Sequence, residues 1–238
     1  MNESMCRVQR GSFVYYTCRR IPVRHAFTTK FGGVSTGACE SLNLGFNRGD
    51  ELENVRENYR LLGEALDAYA PGLAARLRGE VERRVLTPYR TAHFWWMGNG
   101  DEPMCNWTPW CTQNVLLAAA QCAPAEDLPT YVQQAAYSID CFLKDYGDDG
   151  CCSEGAQYYR HAALTMFNAL DLLCKMAPGV FDDVWAEPKI RNMAEYIVNM
   201  HIAGPYYLNF ADCSPLAGAR GVRAVSYTHL TLPTNSRV

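Results

Sequence analysis

The sequence predicts a mainly α fold: an array of helical hairpins preceded by a small α+β fragment. Two textures carry that expectation. Up to Asp67, short β-like runs alternate with Gly-rich turns and one helix. From Asp67 onward, apolar residues recur at helical spacing until Tyr206–Phe210, with turn residues between the periodic stretches. A length of 238 residues suits one large domain or two small ones.

The first part is read as strands over Ser12–Thr17 and Arg24–Lys30. FGGVSTG, Phe31–Gly37, is a turn region, where glycine supplies backbone angles that other residues avoid. A helix follows. Asp50 and Glu53 fit a capping pair at its start, and Val55, Tyr59, Leu62 and Leu66 form its apolar stripe. In the second part, Leu73, Leu77 and Val81 space one helix, extended by Val85. Trp110, Asn114, Leu117 and Ala118 mark another, and Val132, Ala136, Ile139 and Leu143 a third. Tyr158, Ala162, Met166, Ala169 and Leu173 mark a fourth, and Ile190, Met193, Ile197 and His201 a fifth. The turns are expected at Pro124 with Pro129, at Gly147–Gly150 and at Pro178 with Gly179. Helix pairs with short connections read as a hairpin array.

Composition excludes some functions. Charge is 20% of residues and the net charge is −3, so no nucleic-acid partner is expected. No apolar run is long enough to span a bilayer. MNESMCRVQRGSF has no apolar core for a secretory signal, so the expectation is a cytoplasmic protein without a membrane partner. The 11 cysteines are scattered, with no C-x-x-C pair, and read as mostly buried thiols in a reducing compartment.

VRHAFTTKFGGVSTGACESLNLGFNRGDELENVRENYRLLGEAL, Val23–Leu66, carries H-x-F-[ST]-T, G-G-V-S, S-L-N-L-G and G-D…N-V-x-E-N in order. It resembles the N-terminus of the laccase-domain family, also called multicopper polyphenol oxidase, whose members act as purine nucleoside phosphorylases. Lys30 departs from the family's usual arginine. The family's metal and catalytic set is two histidines and a cysteine, on Q-x-H, Cys-containing and H-A-G-W-R segments. None of these occurs downstream, and a three-ligand site cannot be built from His25 alone. His25 is read as a strand-end packing residue, and no metal or cofactor is expected.

FWWMGNGDEPMCNWTPWCTQNVLLAA, DGCCSEGAQYY and IRNMAEYIVNMHIAGPYYLNFAD stand in order within Tyr69–Asp212. This stretch resembles the heparinase II/III-like polysaccharide lyases. The resemblance implies an incomplete α/α toroid, normally followed by a β-sandwich that this chain does not reach. It implies β-elimination on a uronate-containing glycan, so the partner would be an acidic polysaccharide or oligosaccharide. Truncation would leave the fragment inactive. Oligomeric state stays open.

β-Elimination needs a neutralised uronate carboxylate, a base for the C5 proton and an acid for the departing oxygen. Tyr158, in E-G-x-x-Y, lies where the resemblance puts a catalytic tyrosine, with Tyr159 as the alternative. His161, three residues on, can share a face with it. Asn106 and Asn114 are candidates to neutralise the carboxylate, and Asn106 can instead cap a helix. Thr112 departs from relatives with histidine or asparagine near this point, which leaves the neutraliser open. Trp107 and Trp110 are candidates to line a sugar groove, ahead of Trp95 and Trp96, and the same rings could fill a core. Glu154 and His201 are supporting or structural residues.

Val225–Thr234 resembles the transposase mosaic-end sequencing adapter read in frame, GTC TCT TAT ACA CAT CTG ACG CTG CCG ACG. The resulting expectation is a chimera. Residues 1–67 are a laccase-domain-like fragment, 68–216 a lyase-like fragment, and 217–238 a disordered, adapter-derived tail.

Overall fold

The described chain is mainly α with a small α+β part. The computed structural model describes residues 4–23, 25–46, 48–98, 100 and 102–216. The expected tail, and its adapter reading, lie outside the described residues. Contacts divide the chain into two compact units, Met1–Val81 and one that begins at Glu82.

In the first unit, β1 (Met5–Arg10) and β2 (Phe13–Cys18) form an antiparallel hairpin, from Arg10↔Phe13 out to Met5↔Cys18. Gly11 turns it with φ +58. β3 is only Phe27–Thr28, paired with Tyr16 and Tyr15 on the other edge of β2. The expected second strand is therefore much shorter than Arg24–Lys30. β1 was not foreseen, because its solvent-facing pattern carries little apolar alternation. Phe13, Val14 and Tyr15 bury the central strand.

Helix α1 (Leu52–Tyr69) buries Leu52, Val55 and Asn58. The expected stripe is correct at Val55, but Asn58 takes the next buried position. Its amide satisfies a whole loop. Oδ1 accepts from Val34 N–H at 2.8 Å, and Nδ2 donates to Ser35 Oγ and to the Asn43 carbonyl, both at 2.8 Å. Gly33 must be glycine here, since a Cβ would lie 2.2 Å from Ser41 O and 2.4 Å from Asn58 Oδ1.

Asp50 does not cap α1 as expected. Glu51 holds the cap position and makes no side-chain cap bond. Asp50 instead gathers four donors. Oδ2 accepts from Ser35 Oγ at 2.6 Å and Asn43 Nδ2 at 2.9 Å, and Oδ1 from Glu51 N–H at 3.0 Å and Asn54 Nδ2 at 3.2 Å. Helix α2 (Leu73–Val81) ends this unit. Its buried residue is Ala74, while Leu77 is exposed, so the expected Leu73–Leu77–Val81 stripe is not the packed face.

The second unit opens with a π turn, Glu82–Leu86, and α3 (Thr87–Thr91). Then come α4 (Trp107–Cys122), α5 (Leu128–Asp145), α6 (Ala163–Met176) and α7 (Pro188–Asn199). α4, α5 and α6 are mutual neighbours. α6 is the centre: every residue from Thr165 to Leu173 is buried. A helix buried on nearly all sides forms the centre of a core, and its polar members Thr165, Asn168 and Asp171 are each paired. α5 packs through Tyr131, Ala135, Ser138, Ile139 and Phe142, a face one residue behind the expected stripe except at Ile139. Lys189 of α7 closes the end of α5, donating to the carbonyls of Leu143 at 2.8 Å and Tyr146 at 2.9 Å.

Three expectations fail here. Pro129 begins α5 rather than sitting in a loop. The link from α5 to α6 is the long stretch 146–162, not a short hairpin turn. His201 is not helical either. α7 ends at Asn199, and His201 opens β4 (His201–Ala203), paired with β5 (Tyr206–Tyr207). All 11 cysteines are free, but only Cys152 and Cys213 are buried, so most are half-buried rather than core thiols. Among the described residues, no helix is long and apolar enough to cross a membrane.

Burial raises the Asp50 carboxyl, but hydrogen bonds from Ser35, Asn43, Asn54 and the Glu51 N–H outweigh it, so its pKa lies below the ordinary value. A depressed folded pKa gives stability that is present above the unfolded pKa, near 4, and is lost as pH falls through the folded one. Asp50→Asn is therefore less stable than the parent chain at pH 7. Denaturant titrations should show that gap narrowing as pH falls below about 4. An unchanged gap at pH 3 contradicts the Asp50 assignment.

Candidate functional site

The long α5–α6 link carries E-G-x-x-Y, and packing against residues 210–214 fixes its path. Gly155 has φ +88, and a Cβ there would meet Cys213 Cβ at 2.4 Å. The Gln157 N–H donates to Cys213 Sγ at 3.2 Å, and the Ser214 N–H donates to Gln157 Oε1 at 2.9 Å. These contacts hold the chain in a 3-10 turn, Tyr158–Arg160, just before α6. Tyr158 is thus on a turn, not inside the expected fourth helix.

In this turn Tyr158 and Tyr159 have opposite fates. Tyr159 is fully buried, and among the described residues its hydroxyl has no hydrogen-bond partner. Burial pushes its phenol far above the usual value, helped by the nearby Cys152 and Tyr196. A base must reach its substrate, so Tyr159 is not the alternative expected from sequence. Tyr158 is half-buried, with its ring 6.1 Å from the His161 imidazole, edge to face. His161 in turn stacks on Trp110, with centroids 4.6 Å apart and planes 22° from parallel.

α4 supplies the other half. Thr108, Thr112, Val115, Leu116 and Ala119 bury one face, which turns Trp107, Trp110 and Asn114 outward at i, i+3 and i+7. Trp107 is 54% exposed and Trp110 42%, so neither fills a core. Trp107 meets Trp95, itself 47% exposed, at 6.4 Å. Trp96 packs inward between Phe94 and Tyr89. Gln113 accepts from Asn168 Nδ2 at 2.9 Å and ties α4 to α6 beside the cluster.

The structure therefore brings Tyr158, His161 and Trp110 together. Asn106 stands at the start of α4 with helical backbone angles and makes no cap bond, so the capping reading fails. Asn114 is exposed one turn beyond Trp110. Glu154 is half-buried in the preceding turn. Among the described residues, no hydrogen bond joins Asn106, Asn114 or Glu154 to Tyr158 or His161. His201 lies on the β4–β5 hairpin, bonded through Nε2 to the Gly204 carbonyl at 2.9 Å. Sequence reasoning did not find Gln113, Asn168 or Cys213, which are unremarkable residues until folding pairs them.

In the first unit, His25 uses both ring nitrogens internally. Nε2 accepts from Cys18 N–H at 2.6 Å, and Nδ1–H donates to the Val23 carbonyl at 2.7 Å. Tyr69 of α1 brackets its backbone, accepting from the His25 N–H and donating to its carbonyl at 3.1 Å each.

Residues 24–77 match the family model described as multi-copper polyphenol oxidoreductase laccase. The match continues past Asp67 into α2. No curated protein matches the chain. The family's description implies copper, and the residues present do not fit it. Residues 24–77 contain one histidine, His25, and one cysteine, Cys39. Both His25 nitrogens are engaged, and Cys39 Sγ lies 3.3 Å from the Arg48 carbonyl as a donor. Among the described residues, no group of three or more His, Cys, Asp or Glu side chains is placed to hold a metal. Titration of the chain with Cu(II) or Zn(II) should show no saturable site that His25→Gln removes. A one-to-one site lost in that variant contradicts the bracket role of His25.

Proposed function

We propose that the second unit is the helical part of a polysaccharide lyase that cleaves uronate-containing glycans by β-elimination, of the heparinase II/III-like kind. The observation that carries this reading is the Tyr158–His161–Trp110 cluster. A phenol sits beside an imidazole on the link between two packed helices, next to exposed indoles. The sequence resemblance over Tyr69–Asp212 supports it, and an α/α toroid architecture is part of the same proposal.

In this reading Tyr158 takes the C5 proton of the uronate. The C5 electron pair forms the C4=C5 double bond, the C4–O bond breaks, and the glycosidic oxygen receives a proton. Tyr158 can return the proton it took, so no water or nucleophile is consumed. His161 stands beside the phenol, with ring centroids 6.1 Å apart. Asn106 or Asn114 donates amide hydrogen bonds to the carboxylate, which makes the C5 proton more acidic without adding a charge. Trp107 and Trp110 border the sugar. Glu154 supports the turn.

A second reading rests on the family-model match over residues 24–77. It assigns laccase-domain activity, as purine nucleoside phosphorylase or polyphenol oxidase. The missing histidine and cysteine motifs weigh against turnover. A third reading is a helical module that binds glycan without cleaving it. We also propose that the two units have separate origins. The family match ends at residue 77 and the first compact unit at Val81, which favours a junction near there over one at Asp67.

The test uses a protein in which this helical unit is joined to a β-sandwich domain. Unsaturated uronate product absorbs in the ultraviolet, so turnover is followed directly. Tyr158→Phe keeps the ring and should lower turnover by at least about a hundredfold. Near-normal turnover in that variant removes Tyr158 from the mechanism. Glycan binding without product from the parent protein favours the binding module.

A further inference from the structure

Two of the exposed indoles are not equivalent. One face of Trp110 is covered by the His161 imidazole at 4.6 Å. That ring is committed to holding His161 beside Tyr158, and makes Trp110 a positioning residue. Trp107 stands one turn earlier on the same face of α4 and contacts no ring of the Tyr158 cluster. Its ring partner is Trp95, from the 3-10 turn Trp95–Met97, at 6.4 Å and 52°. Both are about half exposed, at 47% for Trp95 and 54% for Trp107.

Burying large aromatics is favourable by a few kcal/mol each. Leaving two indoles of one pair in water forgoes that gain, and such patches mark interaction sites. The backbone under them is not loose. Met97 is buried, and its carbonyl accepts from Ser138 Oγ of α5 at 2.8 Å, which anchors the turn that presents Trp95. Buried Thr108 and Pro109 fix the first turn of α4, which presents Trp107. The pair is therefore a preorganised apolar surface on two rigid supports.

We propose that Trp95 and Trp107 form a stacking platform for a second sugar ring of the bound glycan, beyond the ring held at Tyr158. The inference rests on the lyase reading of the Tyr158 cluster. Exposed indoles run from Trp95 through Trp107 to Trp110, which stacks on the half-buried His161, so a chain of pyranose rings can leave the reacting position along them. The C–H face of a pyranose is apolar while its hydroxyls stay solvated at the edge, which matches tilted indoles with open faces. The ligand is accordingly an oligosaccharide of at least two rings rather than a monosaccharide.

The experiment uses the full chain and a size series of oligouronates, one to six sugars, with tryptophan fluorescence and calorimetry as readouts. Affinity should rise about tenfold between one and three sugars, equivalent to roughly 1.4 kcal/mol for one stacked ring. Trp95→Ala and Trp107→Ala should each abolish that rise. Trp107→Leu keeps apolar bulk without an aromatic face and should behave like Trp107→Ala. Trp107→Tyr should restore most of the rise. Wild-type length dependence in the alanine variants overturns the proposal, as does failure of the parent chain to bind any oligouronate. An uncharged cello-oligosaccharide series separates the two claims. Equal, Trp95-dependent binding of charged and uncharged series keeps the platform and removes the uronate reading. Loss of length dependence in the parent chain, with Tyr158-dependent turnover intact in the sandwich-bearing protein, removes the platform alone.

Discussion

The burial of α6 on all sides governs the second unit. From Thr165 to Leu173 no residue faces water, so other elements must cover every side of this helix. Met166, Phe167, Leu170, Leu172 and Leu173 alone contribute roughly 10 kcal/mol of burial, comparable to the net stability of a typical domain. α4 and α5 meet that demand with small or flat contacts: Thr108, Thr112, Leu116 and Ala119 on one, Tyr131, Ala135 and Ile139 on the other. Once α4 spends its small face on α6, its bulky face has to point outward. The exposure of Trp107, Trp110 and Asn114 is thus a consequence of core packing, as is the meeting of Trp110 with His161 at the head of α6.

Polar groups do similar work in the first unit. Three short strands and two helices leave little apolar area to bury, and the loop before α1 has few apolar anchors. Asn58 and Asp50 compensate by satisfying backbone and side-chain groups of that loop from the start of α1. Buried networks of this kind hold one geometry because any other leaves donors unmet. His25 follows the same logic at the sheet edge. Its two nitrogens are consumed in joining Cys18 to Val23, so the residue that the family match would make interesting is occupied in holding the fold.

Much of this was legible in the sequence, and the exceptions have physical causes. The helices α4 to α7 were all foreseen from apolar spacing. Which face is buried was harder: α5 packs through Tyr131, Ala135 and Ser138, one residue off the stripe read from Val132 and Ala136, because two adjacent apolar rows exist and only the neighbours choose between them. His201 continues the helical spacing of Ile197 but belongs to β4, since the Gly204–Pro205 turn pairs His201 with Tyr207. Asp50 has the residue type and position of a cap, yet distant donors at Ser35 and Asn43 claim it. At the candidate site, Tyr158, His161 and Trp110 could each be named from motif and spacing. Their contact could not, because Trp110 and His161 are brought together only by the α4–α6 packing. The resemblance ranked Tyr158 ahead of Tyr159, but that Tyr159 is fully buried is something two adjacent tyrosines do not reveal.

The central claim is that α6 burial sets Trp110 against His161 beside Tyr158. The most direct measurement is a nuclear Overhauser experiment on the full chain with isotope-labelled histidine and tryptophan. Stacked rings with centroids 4.6 Å apart predict strong cross-peaks between the Trp110 indole and the His161 imidazole, with weaker ones from His161 to the Tyr158 ring. Their loss in Phe167→Ala, which opens a cavity at a fully buried position of α6, would tie the cluster to the core. Absence of the Trp110–His161 cross-peaks in the folded parent chain would contradict the account.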